Sequence, residues 1–262
     1  MVLPKRCRLD ATSHSLYATP MSRRWLRIAH RGASGSAPEH TRAAFERALQ
    51  LGVDMIELDV QLSRDGELVV MHDLELQRTT NGAGTVRERP FAEIKALDAG
   101  AWYGPQFVAQ RVLCLDEVIE IVGTRARLNV EIKAPADDWA ALATALLKTL
   151  RSHGLIATTI ISCFEPGALA IVHECDSGAR LGLLWHQTEF SEAWQWARRL
   201  NAVSLHPYWM LVSADLVHAA HTCGLQVVTW TVNDVDRMRD LVRIGVDGII
   251  SDHPERFPLV AG

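Results

Sequence analysis

The sequence predicts an α/β fold, a barrel of eight parallel strands that alternate with helices. Short apolar runs alternate with helical patterns along most of the chain, which is typical of βα units around a parallel sheet. The chain has 262 residues, of which 48% are hydrophobic, and one barrel of ordinary size would use nearly all of them. Histidines and carboxylates follow the ends of several runs, where such barrels carry their functional groups.

Nine runs have the composition of strands, one more than an eight-stranded barrel needs. They lie near 26–30, 54–60, 67–71, 127–132, 158–162, 179–184, 201–205, 225–231 and 247–250. The second and third runs are joined by residues 63–66, a segment that is too short for a parallel crossover and suits a hairpin turn. We therefore expect the third run to be an antiparallel excursion. Pairing of Ser63 with Glu67 would then bring His72 opposite Leu58.

Helical patterns occupy most of the connections between these runs. They cover 41–51, 116–122, 138–152, 166–174, 191–200, 213–223 and 235–244. The side chains of Ser213 and Asp116 are predicted to cap helix N-termini, and Gly52, Gly154 and Gly224 are placed where helices are expected to end.

Residues 74–112 break this alternation, because they are rich in threonine, asparagine and glycine. We expect them to form an inserted loop or small cap at the mouth of the barrel. The barrel domain is predicted to span residues 23–262. Residues 1–22 mix charged and polar side chains without periodicity and are predicted to be a disordered N-terminal extension.

Composition and charge exclude several classes of partner. The formal net charge is −4 and the basic residues are scattered singly, which argues against a nucleic-acid partner. No segment approaches the roughly 18 uncharged apolar residues of a membrane span, so we expect no stable membrane insertion. The five cysteines form no CxxC pair, a pattern typical of reduced thiols, and the sequence predicts a cytoplasmic protein without disulfides. The oligomeric state is not predicted.

Carboxylates interrupt two of the apolar runs. Glu57 and Asp59 are two residues apart in the second run, and Glu131 and Lys133 are two apart at the fourth. Residues i and i+2 share one face of a strand. Burying several like charges among valines and isoleucines is too costly unless a cation or partner neutralises them. Because the ligands are all oxygen atoms, the sequence predicts one hard divalent cation, Mg²⁺ or Ca²⁺.

Two histidines close apolar runs at the same end of the predicted barrel. His30 precedes Arg31, and His72 returns toward the first carboxylates through the hairpin. A lone histidine at a strand end is usually a packing residue, but two of them beside a cation site fit phosphodiester cleavage. That reaction needs the charge of the phosphate offset and the departing alkoxide protonated. The sequence does not determine which histidine is the acid and which is the base.

Nine motifs in order, from about residue 25 to 257, resemble the glycerophosphodiester phosphodiesterase family. They are His30-Arg31-Gly32, Pro38-Glu39, Glu57-Leu58-Asp59-Val60, Asp65-Gly66, His72-Asp73, Arg78-Thr79-Thr80-Asn81-Gly82, Val130-Glu131-Ile132-Lys133, Trp230-Thr231-Val232-Asn233 and Ser251-Asp252. The resemblance implies a TIM barrel of the phosphatidylinositol-phospholipase-C-like type. It further implies metal ligation by Glu57, Asp59 and Glu131, acid-base catalysis by His30 and His72, substrate binding by Arg31, Lys133 and Trp230, and support by Glu39.

The sequence departs from the family pattern at two places. The family usually has asparagine after Pro38-Glu39, whereas this chain has His40, which either adds a ligand or an orienting hydrogen bond or is a tolerated change in the first helical turn. Where the family tends to have Ile-Pro-Thr-Leu before a helix, this chain has Val112-Leu113-Cys114-Leu115, far from the metal residues.

Three functions remain open from the sequence. The first is metal-dependent hydrolysis of small-molecule glycerophosphodiesters, such as glycerophosphocholine or glycerophosphoethanolamine, to sn-glycerol 3-phosphate and an alcohol. The second keeps this chemistry but uses lysophospholipids, as a lysophospholipase D would. The third is a non-catalytic barrel that binds phosphoesters, and retention of all five central histidines and carboxylates argues against it.

Overall fold

In the part of the chain that the structure describes, the apolar runs form nine strands, eight of which close a parallel barrel. The computed structural model describes residues 25–260. The strands are β1 (Leu26–His30), β2 (Met55–Leu62), β3 (Leu68–Val70), β4 (Arg127–Ile132), β5 (Ile160–Cys163), β6 (Arg180–Trp185), β7 (Ser204–Pro207), β8 (Gln226–Thr229) and β9 (Gly248–Ser251). All except β3 are parallel to their neighbours, and pairing of β1 with both β2 and β9 closes the barrel. The predicted TIM-barrel fold is confirmed, and the predicted extension, 1–22, lies outside the described residues.

Eight α-helices accompany the strands within residues 25–260. They are α1 (Arg42–Gln50), α2 (Phe91–Lys95), α3 (Leu115–Val122), α4 (Trp139–Ser152), α5 (Pro166–Cys175), α6 (Ser191–Arg199), α7 (Ala214–Thr222) and α8 (Val235–Arg243). Ser213 caps α7 as predicted, since its side chain accepts the N–H of Leu216. The N-cap predicted for α3, Asp116, was wrong by two residues. Cys114 precedes that helix, and its backbone N–H is bound by the Glu117 carboxylate, so Asp116 lies within the first turn.

The predicted hairpin forms between β2 and β3. Antiparallel pairs join Val60 to Val70 and Leu62 to Leu68. The same register continues beyond both strands, because the N–H of Ser63 donates to Glu67 O at 3.0 Å and the N–H of Met71 donates to Asp59 O at 3.1 Å. The chain after Met71 therefore returns to the carboxylates of β2.

The insert, 74–112, packs beside the barrel rather than across it. It contains α2 and short 3₁₀ turns, and it forms a small apolar core with β3 that includes Leu76, Val86 and Ile94. Its surface contacts α1 and α3, through a hydrogen bond from Ala43 N–H to Gln110 and an ion pair of Lys95 with Glu117. The insert therefore flanks the mouth of the barrel on the β2 side.

The inside of the barrel is divided along its axis. The lower part is filled by the apolar side chains Ile28, Met55, Ile160, Val228 and Ile250. Polar side chains therefore gather at the upper end, where the strands finish. Among residues 25–260, no helix has both the length and the apolar character needed to cross a bilayer.

Candidate active site

Three carboxylates meet at the upper ends of β2 and β4. Glu57 and Asp59 share the inner face of β2, and the register of β2 with β4 sets Asp59 beside Glu131. Each offers an oxygen within 4.8 Å of the others. All three side chains are buried, with exposed fractions of 3%, 1% and 8%. The sequence prediction that these residues cluster therefore agrees with the geometry.

The cluster carries more negative charge than its surroundings offset. Lys133 contacts Glu131 and lies 3.5 Å from Asp59, and Arg31 lies 3.4 Å from the other oxygen of Asp59. Burial, together with the charges of Asp59 and Glu131, raises the pKa of Glu57 well above its usual range. Burial and the charge of Asp59 raise the pKa of Glu131 to about 8. Two basic side chains are therefore not enough to hold three ionised carboxylates together.

The donor set fits a hard divalent cation. Both oxygens of Asp59 are buried and accept no hydrogen bond from the described residues, while Oε1 of Glu131 is buried in contact with Lys133. Buried carboxylate oxygens without donors are unfavourable unless a positive charge binds them. Three carboxylates with no histidine or cysteine among them match the ligands that Mg²⁺ and Ca²⁺ prefer. The cluster can therefore bind one such ion.

Arg31 is fixed at the end of β1 by its backbone and its side chain. Its N–H donates to Glu57, to the carbonyl oxygen at 2.9 Å and to Oε2 at 3.1 Å. Its guanidinium donates to Glu39 at 3.0 Å, and Arg78 also donates to Glu39. Burial would raise the pKa of Glu39, but hydrogen bonds from Arg78 and the neighbouring charges lower it to about 2. Glu39 thus stays ionised and holds Arg31 beside the cluster.

His30, at the end of β1, is oriented by an aspartate at the end of the neighbouring strand β9. Its Nδ1 lies 2.6 Å from Oδ1 of Asp252, which follows β9, and its Nε2 lies 3.9 Å from Glu57. Asp252 also accepts hydrogen bonds from Ser34 and Asn233. Burial would raise the pKa of Asp252, but these partners hold it well below its usual range. The Nε2 atom of His30 therefore faces the pocket in a fixed orientation.

His72 is also oriented by an aspartate, and an arginine of the insert holds this aspartate in place. Its Nδ1 lies 2.6 Å from Oδ1 of Asp73. Asp73 accepts two hydrogen bonds from Arg78, at 2.5 and 3.0 Å, which with His72 lower the pKa of Asp73 to about 2. Burial lowers the pKa of His72 itself. Arg78 belongs to the insert, so the insert reaches the site through Asp73 and Glu39.

A pocket of about 100 Å³ lies between these groups. Its walls are formed by His30, Arg31, Glu57, His72, Asn129, Glu131, Lys133, Phe164, Leu184, Trp230, Thr231 and Ile250. The indole N–H of Trp230 donates to His206 O at 2.8 Å, and its ring packs edge-on against Phe164 at 5.2 Å. Trp230 is therefore fixed as an aromatic wall on the side opposite the hairpin.

A larger cleft of about 640 Å³ lies at the other end of the barrel, near Gly52, Arg127 and Thr158. It contains none of the clustered carboxylates or paired histidines. Size alone therefore does not mark the reactive site, since catalysis in such barrels occurs where the strands end.

His40, where the family usually has asparagine, is buried beside the carboxylates. Its Nε2 lies 3.2 Å from the backbone nitrogen of Asp59 and 3.3 Å from Oδ2 of that residue. Burial lowers the pKa of His40. The side chain thus contacts the cluster from behind and does not line the pocket.

The structure brings all the sequence-predicted site residues to one end of the barrel. His30, His72, Glu57, Glu131, Arg31, Lys133 and Trp230 line the pocket, while Asp59 and Glu39 lie directly behind it. Sequence reasoning gave no role to Asn129, Phe164, Asp73 or Arg78. Asn129 is two residues before Glu131 and shares its face, so strand periodicity carried a signal for it. Asp73 and Arg78 carried only the signal of their motifs.

Comparison with known proteins agrees with this geometry. The model of the glycerophosphoryl diester phosphodiesterase family matches residues 30–256. A glycerophosphodiester phosphodiesterase of Caldanaerobacter subterraneus subsp. tengcongensis is 42% identical over 231 residues, which cover 88% of this chain and 95% of that protein. A glycerophosphodiester phosphodiesterase of Bacillus subtilis is 34% identical over 251 residues, 89% of this chain and 85% of that protein.

Solved structures show the same relationship. A phosphodiesterase of Oleispira antarctica, solved in complex with the product sn-glycerol-3-phosphate, superposes with a TM-score of 0.84 at 31% identity, covering 89% of this chain and 95% of that one. A glycerophosphodiester phosphodiesterase of Agrobacterium tumefaciens has a TM-score of 0.78 at 30% identity, covering 90% and 98%. The chain therefore belongs to the glycerophosphoryl diester phosphodiesterase family and is an enzyme of that family.

Proposed function

We propose that this enzyme hydrolyses glycerophosphodiesters, such as glycerophosphocholine and glycerophosphoethanolamine, to sn-glycerol 3-phosphate and an alcohol. The observation that carries the proposal is the convergence of three buried carboxylates and two aspartate-bound histidines on one pocket. The related enzyme of Oleispira antarctica was solved with sn-glycerol-3-phosphate as its product, which supports this choice of substrate class.

The carboxylates and basic residues account for binding of the phosphate. When bound by Glu57, Asp59 and Glu131, one Mg²⁺ or Ca²⁺ ion would offset the negative charge of the phosphodiester. Arg31 and Lys133 line the same pocket and would donate hydrogen bonds to the non-bridging oxygens. Trp230 would pack against the substrate on the opposite wall.

The histidines account for the movement of protons. Each imidazole has its Nδ1 bound to an aspartate, so each Nε2 is left to exchange a proton with the substrate. One of His30 and His72 would accept the proton of the nucleophile, and the other would donate a proton to the departing alkoxide. The nucleophile is either water or the neighbouring hydroxyl of the glycerol, which would form a cyclic phosphate first. Detection of a cyclic product at short reaction times distinguishes the two routes.

The test is turnover of a panel of substrates by the purified protein. Glycerophosphocholine, glycerophosphoethanolamine and a lysophospholipid are each supplied with Mg²⁺, with Ca²⁺ or with a chelator, and sn-glycerol 3-phosphate and free alcohol are measured. We expect cation-dependent turnover of the glycerophosphodiesters. Turnover that resists the chelator contradicts the metal assignment. Preference for the lysophospholipid favours the lysophospholipase D alternative. A cytoplasmic location, which rests on the cysteine pattern, stays a prediction.

The raised pKa values of the carboxylates predict how a bound cation changes stability. In the unfolded chain Glu57 and Glu131 would ionise near their usual pKa of 4.5. In the folded chain both pKa values are raised, for Glu131 to about 8. The folded state therefore binds more protons, and without a cation the free energy of unfolding falls as pH rises from about 4.5 toward 8. A bound cation replaces those protons, so its stabilising effect grows over the same range.

Thermal unfolding with and without Ca²⁺ measures this effect. At 100 times its dissociation constant a ligand adds about 2.7 kcal/mol, which corresponds to roughly 5–10 °C in Tm for a domain of this size. We expect a shift of this order at pH 8 and a clearly smaller shift at pH 5.5 for the same total Ca²⁺ concentration. A Ca²⁺-induced shift that is equal at both pH values, or larger at pH 5.5, contradicts the role of these carboxylates.

A further inference from the structure

Along one edge, β2 pairs first with β1 and then with β3. The change falls at Asp59, the most buried residue of the carboxylate cluster. β1 pairs with β2 as far as Glu57, and β3 pairs with β2 from Val60 onward. Asp59 lies at this change: its carbonyl oxygen accepts the N–H of Met71, but its own backbone N–H has no partner in β1 or in the hairpin. The Nε2 atom of His40 accepts that N–H at 3.2 Å. The side chain of His40 therefore supplies the hydrogen-bond acceptor that a neighbouring strand would otherwise supply to this N–H.

His40 is held firmly in this position. Its backbone has a φ of +60°, in the left-handed region where residues other than glycine are uncommon and histidine is one of the more tolerant. Its own N–H donates to Arg31 O at 3.1 Å, and its ring packs near Phe45 with centroids 6.5 Å apart. The side chain is 5% exposed. Such conformations persist where the surroundings fix them, and they concentrate at functional sites.

The direction of the hydrogen bond determines what His40 offers to the Asp59 carboxylate. A ring nitrogen that accepts an N–H uses its lone pair and carries no proton of its own. Nε2 therefore has no hydrogen to donate to Oδ2 of Asp59, although the two atoms are 3.3 Å apart. Both oxygens of Asp59 lack a hydrogen-bond donor among the described residues. The imidazole thus fixes the backbone of Asp59 and gives no hydrogen bond to its carboxylate, whose charged neighbours are Arg31 and Lys133.

We propose that His40 is a positioning residue for the cation site, an inference that rests on the proposed function. It binds the backbone N–H of Asp59, which would fix the strand position from which this carboxylate reaches the cation site. His40 is not a ligand, because its lone pair is used and because the ligand atoms that meet within 4.8 Å come from Glu57, Asp59 and Glu131. A hydrogen-bond acceptor that tolerates the left-handed backbone is what this position requires.

Three single variants test the proposal by calorimetric titration with Ca²⁺. His40→Gly fits the left-handed backbone without strain but removes the acceptor. His40→Asn also tolerates this backbone and supplies an amide oxygen as acceptor. Asn201→Gly is the matched control, because Asn201 has a φ of +49° and is exposed on the loop after α6. Circular dichroism establishes that each variant is folded, and kcat and KM are measured in parallel.

We expect His40→Gly to bind Ca²⁺ about 10–100-fold more weakly, the usual effect of losing a partner that orients a metal ligand. Added imidazole should restore part of the affinity. His40→Asn should lose less than about tenfold, and Asn201→Gly should match the wild type. Wild-type affinity in His40→Gly, or an equal loss in His40→Asn and His40→Gly, overturns the proposal while leaving the cation site intact. A wild-type protein that binds no Ca²⁺ or Mg²⁺ overturns the cation site and this proposal together.

Discussion

Replacing His30 or His72 with alanine is expected to lower kcat by about 10²–10⁴-fold, the range over which a positioned acid or base contributes to catalysis. Each imidazole has Nδ1 at 2.6 Å from an aspartate, so both present Nε2 in a fixed orientation. Steady-state kinetics with glycerophosphocholine at saturating cation measure the loss. KM should change less than kcat, because the histidines act on the reacting atoms and the phosphate is bound elsewhere.

A substrate with a better leaving group separates the acid from the base. p-Nitrophenolate departs without protonation, so loss of the general acid should cost much less with glycerophospho-p-nitrophenol than with glycerophosphocholine. Loss of the base should cost about the same with both. His218→Ala, at an exposed position on α7, is the control. Near-wild-type rates in either variant contradict its acid-base role, and equal losses with both substrates in both variants contradict general-acid catalysis by either histidine.

Replacing Glu57 with glutamine is expected to have opposite effects on activity and on stability. The amide keeps an oxygen that can accept the N–H of Arg31, which Glu57 binds at 3.1 Å. It removes one of three charges, so cation affinity should fall by at least the roughly 10–100-fold seen for outer-shell partners, and kcat/KM should fall with it. The raised pKa of Glu57 means that its ionised form destabilises the folded protein without a cation. In chelator at pH 8, the variant should therefore unfold at a higher temperature than the wild type.

Calorimetry and activity measurements on the same preparation check both the expected loss of cation affinity and activity and the expected gain in stability. Asp236→Asn serves as the control, because Asp236 is an exposed carboxylate on α8 that pairs with Arg239 in the same helix. It should change neither cation affinity nor kcat/KM. Retained Ca²⁺ affinity in Glu57→Gln contradicts its assignment as a ligand. Lower stability of Glu57→Gln in chelator contradicts the charge repulsion that we infer within the cluster.

Most of the fold follows from local patterns. The alternation of strands and helices, the one surplus strand and the short link after β2 together predict an eight-stranded barrel with a hairpin. Even the register of that hairpin is predictable, because Ser63 and Glu67 close a turn whose length leaves one pairing. The start of α3 was not predictable to the residue, since Cys114 rather than the better capping residue Asp116 precedes the helix.

The carboxylate site was predictable because its members obey strand periodicity. Glu57 and Asp59 on one strand, and Glu131 on another, are polar residues in apolar runs, and the cost of burying them predicts a cation. Of the two pairings that orient the histidines, that of His72 with Asp73 joins adjacent residues, whereas that of His30 with Asp252 carries no such local signal. Asp252 contacts His30 from 222 residues away, and Arg78 reaches Asp73 from an insert without regular periodicity.

By itself the sequence determined the barrel, the hairpin and the kinds of group at the strand ends, because periodicity reports which face of an element is buried. Only the tertiary structure decided how those groups are oriented and charged. Closure of the barrel brings β9 against β1 and so sets Asp252 beside His30. The change of neighbour along β2 leaves an N–H that His40 accepts. Both depend on contacts between elements distant in the chain, and such contacts have no counterpart in a local pattern.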